Sequence, residues 1–349
     1  MTELPAPGDH PKAGHRRTPG ARRARCVAVG TALPERRLTN ADLAKLVDTS
    51  DEWIVTRTGI RERRMADPGT ALSDLAVVAA RECLDRAGIQ ADQLDGIICA
   101  TITGDHVMPA TANIIQHRIG ARRAWGYDLL NACNGFLAAL NTAAAFVEAG
   151  RAERILVVGG DLMSSLVDFR DRNTCVLFGD GCGAVLVEAG PGDGYGLIGF
   201  EMHSDGGSAA DLIVPCSGSA LPATADALAR GEQFLKQNGK AVFQQAVRRM
   251  AEVSTSLLDG LGLTSADIDL LVPHQANLRI IQPTAERLGV PMEKVVVNID
   301  RVANTTAGTI PLALADAEAS GRLHQGTRVL LVAFGGGLTW GAAYLTWGR

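Results

Sequence analysis

Cys133, His274 and Asn304 are the residues around which chemistry can be organised in this 349-residue chain. Cys133 follows the mostly apolar run 125–130 and precedes a nearly unbroken apolar stretch from Gly135, so it falls at a strand-to-helix turn. The partial positive charge and free N–H groups of a helix N-terminus favour a thiolate there, and the thiolate is the nucleophilic form. The same position also suits a buried core cysteine. His274 ends the buried run 270–272, at the strand carboxyl end where α/β sheets place ligands. A hydrogen-bonded capping histidine fits that place equally well. Asn304, ahead of Thr305, Thr306 and Gly308, is either a donor to a substrate or a helix N-cap. Gly335, Gly336 and Gly337 follow the apolar run 329–332; they form a plain turn or let backbone N–H groups approach a ligand closely.

The elements that must position these residues are legible as alternation. Short apolar runs at 96–100, 155–158, 270–272, 295–297 and 329–332 read as strands buried under helices on both faces. Helices are predicted over 73–87, 135–149, 239–258, 278–288 and 310–320, with Gly88, Gly150, Gly260 and Gly321 as stop signals. The stretch from Ala87 echoes the stretch from Leu261, setting Gly88 opposite Gly262 and Asp95 opposite Asp269. Further on, Asn131 to Gly135 echoes Asn304 to Gly308, each followed by a helix and a buried strand. Two copies of one α/β unit, related by a pseudo-twofold axis, would bring Cys133 from the first half to His274 and Asn304 from the second.

Composition narrows the class. With 46% hydrophobic, 21% charged and 4% aromatic residues, the chain is a globular protein whose core is mostly small and aliphatic. The net charge of −4 points to neither nucleic acid nor a membrane surface as partner. Residues 1–25 carry +4 and the remainder −8; this basic, Pro-rich extension reads as disordered, with a cleaved targeting peptide as the alternative. No apolar run is long enough to span a membrane. The seven cysteines are scattered without a C-x-x-C pair, which argues against a zinc site or a secreted disulfide framework and for a reducing cytoplasm. Gly194 to Gly199 matches a dinucleotide fingerprint, yet the segment after Gly199 does not read as a helix, so that reading fails. Gly179 to Gly183 lacks the Gly-Lys-Ser/Thr of a phosphate loop.

The runs 48–63, Ala132 to Phe136, Leu177 to Gly181, Val272 to Ile281, Asn304 to Ala307 and Ala333 to Gly341 resemble β-ketoacyl-[acyl carrier protein] synthase III along residues 25–349. The resemblance implies an α/β, thiolase-like fold: an N-terminal half over 26–200 holding the nucleophilic cysteine and a C-terminal half over 201–349 holding the histidine and asparagine, with buried central helices. It also implies a homodimer. Cys133 would carry the acyl group of an acyl-CoA, and malonyl-[acyl carrier protein] would then lose CO2 and attack it. His274 and Asn304 would donate to the developing enolate, which requires a neutral imidazole protonated at Nε2. The backbone N–H groups of Cys133 and Gly336 would form the oxyanion hole.

By the same resemblance Trp53 and Arg172 hold the CoA adenine with Arg57 beside them, Gly239 and Asn277 contact pantetheine, and Phe334 lines the substrate site. Arg279 matches a residue that docks the acidic carrier protein, with Arg248 and Arg249 as neighbouring candidates. Met108 falls where the family reaches across the dimer to close the partner's acyl pocket. Two positions depart: Asn134 replaces a small residue, and Glu286 stands where a lysine often occurs. No metal and no cofactor is implied beyond the two thioester substrates. The segment 204–231 reads as a long loop by the substrate entrance. The expected activity is decarboxylative condensation that starts fatty-acid chains in the cytoplasm; the alternative is a related priming or acyltransferase enzyme of polyketide or other specialised metabolism.

Overall fold

The computed structural model describes residues 22–349. Two sheets face each other across a pair of buried helices. The first has the strand order Arg23–Ala32, Asp180–Gly190, Arg154–Leu162, Gly96–Ala100, Trp125–Leu129. Gly96–Ala100 lies parallel to both of its neighbours, and the two outer pairings on the other side are antiparallel. The second sheet runs Leu270–Pro273, Arg328–Gly335, Thr339–Thr346, Gly196–Ser204, with only its first pair parallel.

Between the sheets lie the central helices Gly135–Glu148 and Thr309–Ala319. They are apolar nearly all round because both faces are covered: Phe136, Leu140, Ile310 and Leu314 share one core with Val157 and Val185 of the first sheet and Val329 and Leu345 of the second. Each such large side chain contributes about 1.5–3 kcal/mol by leaving water. The chain also needs room for backbones to approach. A Cβ on Gly159 would sit 2.5 Å from the Ala307 carbonyl oxygen, so glycine there lets the second central helix seat on the first sheet. Helix Leu72–Ala87 covers the outer face of the first sheet, and helices Gly239–Leu261 and Leu278–Leu288 cover that of the second.

The internal repeat holds at a constant offset of 174. It relates Gly96 to Leu270, Gly135 to Thr309 and Arg154 to Arg328 as element starts. Asp95 accepts from the backbone N–H groups of Glu153 and Arg154, and Asp269 accepts from the N–H of Arg328 and its guanidinium. One register differs from the sequence alignment, which set Asn131 against Asn304. In the structure Ala132 (φ +46°) is opposite Thr306 (φ +52°), so Cys133 pairs with Ala307. The backbone shape of the turn, not the shared asparagine, sets the correspondence.

Several boundaries move. Arg23 to Arg25 are not part of a loose extension: they pair with Glu188 to Gly190 in the first sheet, and Arg25 is buried. Arg22 is held by the Val147 and Ala152 carbonyls; residues 1–21 of that expected extension lie outside the described residues. The expected division at 200/201 cuts through strand Gly196–Ser204, which belongs wholly to the second sheet. The run 295–297 forms only a bridge from Val295 to Leu271, and Gly260 lies inside a helix that ends at the left-handed Gly262. Segment 204–231 is not one long loop; it holds the turn Gly206–Asp211, the short strand Leu212–Ile213 and helix Ala225–Ala229. Among the described residues no helix is long and apolar enough to cross a membrane.

Candidate active site

Cys133 sits in a single 3-10 turn, Ala132–Asn134, that joins strand Trp125–Leu129 to the first central helix. The tight turn is possible because Ala132 takes a positive φ and the Gly335 backbone lies directly behind Cys133. Cys133 is buried, and burial, with the Asp161 carboxylate adding to it, pushes its thiol up to about 12. The helix start was expected to yield a thiolate at rest; desolvation outweighs it, and the resting group is a neutral thiol.

His274 directly follows strand Leu270–Pro273, its N–H bonded to the Val332 carbonyl. The ring is fully enclosed, its Nδ1 is 2.7 Å from the Thr309 hydroxyl, and burial pushes its pKa down to about 3. It is a neutral imidazole at any working pH, as the enolate-donor role requires. Asn304 is not a helix cap. Its backbone bridges Phe178 through bonds to Leu177 and Gly179, and its amide oxygen accepts the Thr306 N–H at 2.8 Å. With the oxygen committed, Nδ2 remains as donor.

The three side chains meet in one cavity of about 260 Å³, lined also by Trp53, Arg57, Gly239, Asn277, Arg279 and Phe334. At its mouth the Trp53 ring carries two guanidinium groups, Arg57 at 4.6 Å and Arg172 at 5.1 Å from the centroid. Trp53 is presented by helix Asp51–Thr58, whose N-cap Ser50 accepts the Trp53 N–H. Such a cationic aromatic platform suits a nucleotide carrying phosphates. Asn277 caps helix Leu278–Leu288, which projects Arg279 outward beside Phe243.

Two family models match the chain: 3-oxoacyl-[acyl-carrier-protein] synthase III over residues 127–206 and its C-terminal counterpart over 258–347. A β-ketoacyl-[acyl-carrier-protein] synthase III of Roseiflexus is 50% identical over 91% of this chain and 96% of its own. The chain belongs to the β-ketoacyl-[acyl carrier protein] synthase III family. These are condensing acyltransferases, and the fold is the thiolase-like one. The crystal structure of the Thermus thermophilus synthase III has a TM-score of 0.85 at 46% identity, covering 93% of this chain and 99% of that one. The priming β-ketosynthase of the R1128 polyketide pathway has a TM-score of 0.87 at 34% identity, covering 96% and 99%.

Against expectation, one residue stands apart. Arg249 is not a free docking cation: it lies over the Trp340 ring at 4.6 Å and pairs with Glu252, so its charge is committed to packing. Arg248 is exposed and donates to Gln245 of its own helix. Met108 does not line this chain's own cavity but is exposed beside Val107. Gly336 lies in the turn after strand Arg328–Gly335, and that turn is pinned by reciprocal 2.8 Å bonds between Asp205 and Leu338. Sequence reasoning missed Thr309 and Asp161. Thr309 lies one residue before the helix expected over 310–320, and Asp161 after Gly159 and Gly160 gave no periodic signal. Asp161 is fully buried and accepts from Thr101, Ile102 and Thr103 of the first half and from Thr306 of the second.

Proposed function

We propose that the protein condenses a short acyl-CoA with malonyl-[acyl carrier protein], giving 3-oxoacyl-[acyl carrier protein], CoA and CO2, as the first step of fatty-acid synthesis. The observation that carries this is the convergence of Cys133, His274 and Asn304 on one cavity whose mouth holds Trp53. The Cys133 sulfur attacks the acyl-CoA carbonyl, and the thiol proton ends on the departing CoA sulfur. The tetrahedral oxyanion is held by the N–H groups of Cys133 and Gly336. Malonyl thioester then loses CO2, and the electrons of that C–C bond form an enolate whose oxygen takes hydrogen bonds from His274 Nε2 and Asn304 Nδ2. The enolate carbon attacks the acyl group, and Cys133 leaves as a thiolate that takes one proton from solvent to return to the resting thiol. Each aligned donor lowers the barrier by about 3–4 kcal/mol. Pure acyl transfer forms no enolate, so a buried His and Asn pair aimed at one cavity favours carbon–carbon bond formation. The overall change is redox neutral and the substrates arrive activated, so no cofactor is called for.

Strand Trp125–Leu129 is the exposed edge of the first sheet, flanked by the exposed Leu130, Val107 and Met108. This supports a homodimer in which Met108 closes the partner's acyl pocket. Seven reduced cysteines support a cytoplasmic setting. The likeness to the R1128 priming enzyme favours one second reading, priming of a polyketide chain by the same chemistry. Intact-mass measurement after incubation with a panel of acyl-CoAs tests the assignment. One acyl adduct is expected, absent in Cys133→Ala, followed by CO2 release on adding malonyl-[acyl carrier protein]. An adduct that persists in Cys133→Ala removes the nucleophile, and an acylated enzyme that releases no CO2 removes the condensation. The preferred acyl group separates straight fatty-acid primers from specialised ones.

A further inference from the structure

The Thr309 hydroxyl opens the second central helix, is fully buried, and lies between two acceptors. It is 3.0 Å from the Thr306 carbonyl oxygen and 2.7 Å from His274 Nδ1. A hydroxyl has one proton, so it serves one of them. If the proton goes to Thr306, His274 must donate from Nδ1 and turn a bare Nε2 to the cavity. If it goes to His274, Nδ1 is the acceptor and Nε2 carries the proton.

Three observations favour the second arrangement. The Thr306 carbonyl already accepts the Thr309 backbone N–H, so losing the hydroxyl leaves no buried backbone group unpaired. The contact to the ring nitrogen is the shorter of the two. The imidazole is neutral in its dry surroundings, so one of its nitrogens must accept. We propose that Thr309 is a positioning residue that donates to His274 Nδ1 and so locks the Nε2–H tautomer needed for enolate stabilisation, a role that rests on His274 being the enolate donor. The position is particular to the second half: its repeat partner is Gly135, which has no hydroxyl.

The test uses the full-length enzyme with 15N-histidine, the His274 signals being assigned by their loss in His274→Gln. The expected spectrum shows a protonated Nε2 and an unprotonated Nδ1. A protonated Nδ1 in the wild-type enzyme overturns the proposal whether or not Thr309→Val folds. In Thr309→Val, CO2 release from malonyl-[acyl carrier protein] by the acylated enzyme is expected to fall about 100-fold, the scale of one oriented donor. Acylation of Cys133 should stay intact, and Thr309→Ser should restore both the rate and the tautomer. A Thr309→Val enzyme that decarboxylates at the wild-type rate overturns the proposal. Undiminished CO2 release by His274→Gln would instead remove the role of His274 itself, a separate outcome.

Discussion

A Cβ added to Gly335 would lie 2.7 Å from the amide nitrogen of Cys133. The end of a strand from the second half thus abuts the nucleophile's turn from the first, and only a residue without a side chain permits the approach. Gly335→Ala must displace backbone on one side. An acylation rate lowered at least 100-fold is expected, because about 1 Å at a reacting atom costs that much. Overpacking should also cost about 1–3 kcal/mol of stability. Stopped-flow acylation kinetics with a thermal melt check both, and wild-type acylation would show that the turn yields freely.

Asp161 acts on the Cys133 thiol through its charge. Its carboxylate adds to the burial that raises the Cys133 pKa, and it is itself held above the usual carboxylate range by burial, offset by the hydrogen bonds it accepts. Asp161→Asn removes the charge at nearly constant volume. Alkylation of Cys133 by iodoacetamide at neutral pH should speed up severalfold, while stability falls by about 1–3 kcal/mol as the network around Thr306 loses its acceptor. An unchanged alkylation rate would count against the electrostatic coupling.

His274 carries a pH signature. Its folded pKa of about 3 lies below the unfolded value near 6.5, so between them the unfolded chain binds the extra proton. The stability held with a neutral ring is present above about pH 6.5 and is lost as pH falls toward about 3, by up to about 1.4 kcal/mol per pH unit. Denaturant unfolding at a series of pH values should show a shallower acid slope in His274→Gln than in the wild type. An identical slope would mean that the ring is protonated in the fold.

Trp53 should act on binding alone. Each cation–π contact is worth about 0.5–1 kcal/mol, and two meet on its ring. Trp53→Ala is expected to raise KM for acyl-CoA about tenfold with kcat unchanged. A fall in kcat at constant KM would place the ring in the chemistry instead.

Arg279 and Arg249 should separate cleanly. Arg279→Glu is expected to raise KM for malonyl-[acyl carrier protein] about tenfold if the proposed acidic partner docks at this exposed cation on the cavity lining. Arg249→Ala should leave that KM alone and lower stability by about 1 kcal/mol through the lost Trp340 contact. The reverse pattern would restore Arg249 to the docking surface.

The candidate trio Cys133, His274 and Asn304 was legible because each member sits where a pattern breaks: a polar residue at the end of an apolar run, at a strand end or a turn. Helices such as Leu278–Leu288 were legible for a related reason, since burial of one face imposes its period on the residues. The packing of Arg249 on Trp340 was not legible, because a charge in the sequence carries no record of the ring it will lie on. The run 295–297 was misread because apolarity reports burial, and burial does not require a strand.

By itself the amino-acid sequence determined that two α/β units follow one another; its resemblance to the synthases III pointed to that family and to Cys133, His274 and Asn304 as the candidate residues. Local patterning suffices for the units, because they are written in residue types at fixed spacings, and the long shared runs carry the resemblance. Only the tertiary structure decided the protonation states and the partners: that Cys133 rests as a thiol, that Thr309 faces His274, and that Asp161 ties Thr306 to the other half. Those depend on desolvation and on distances between residues far apart in the chain, and both are set by how the two halves close over the central helices.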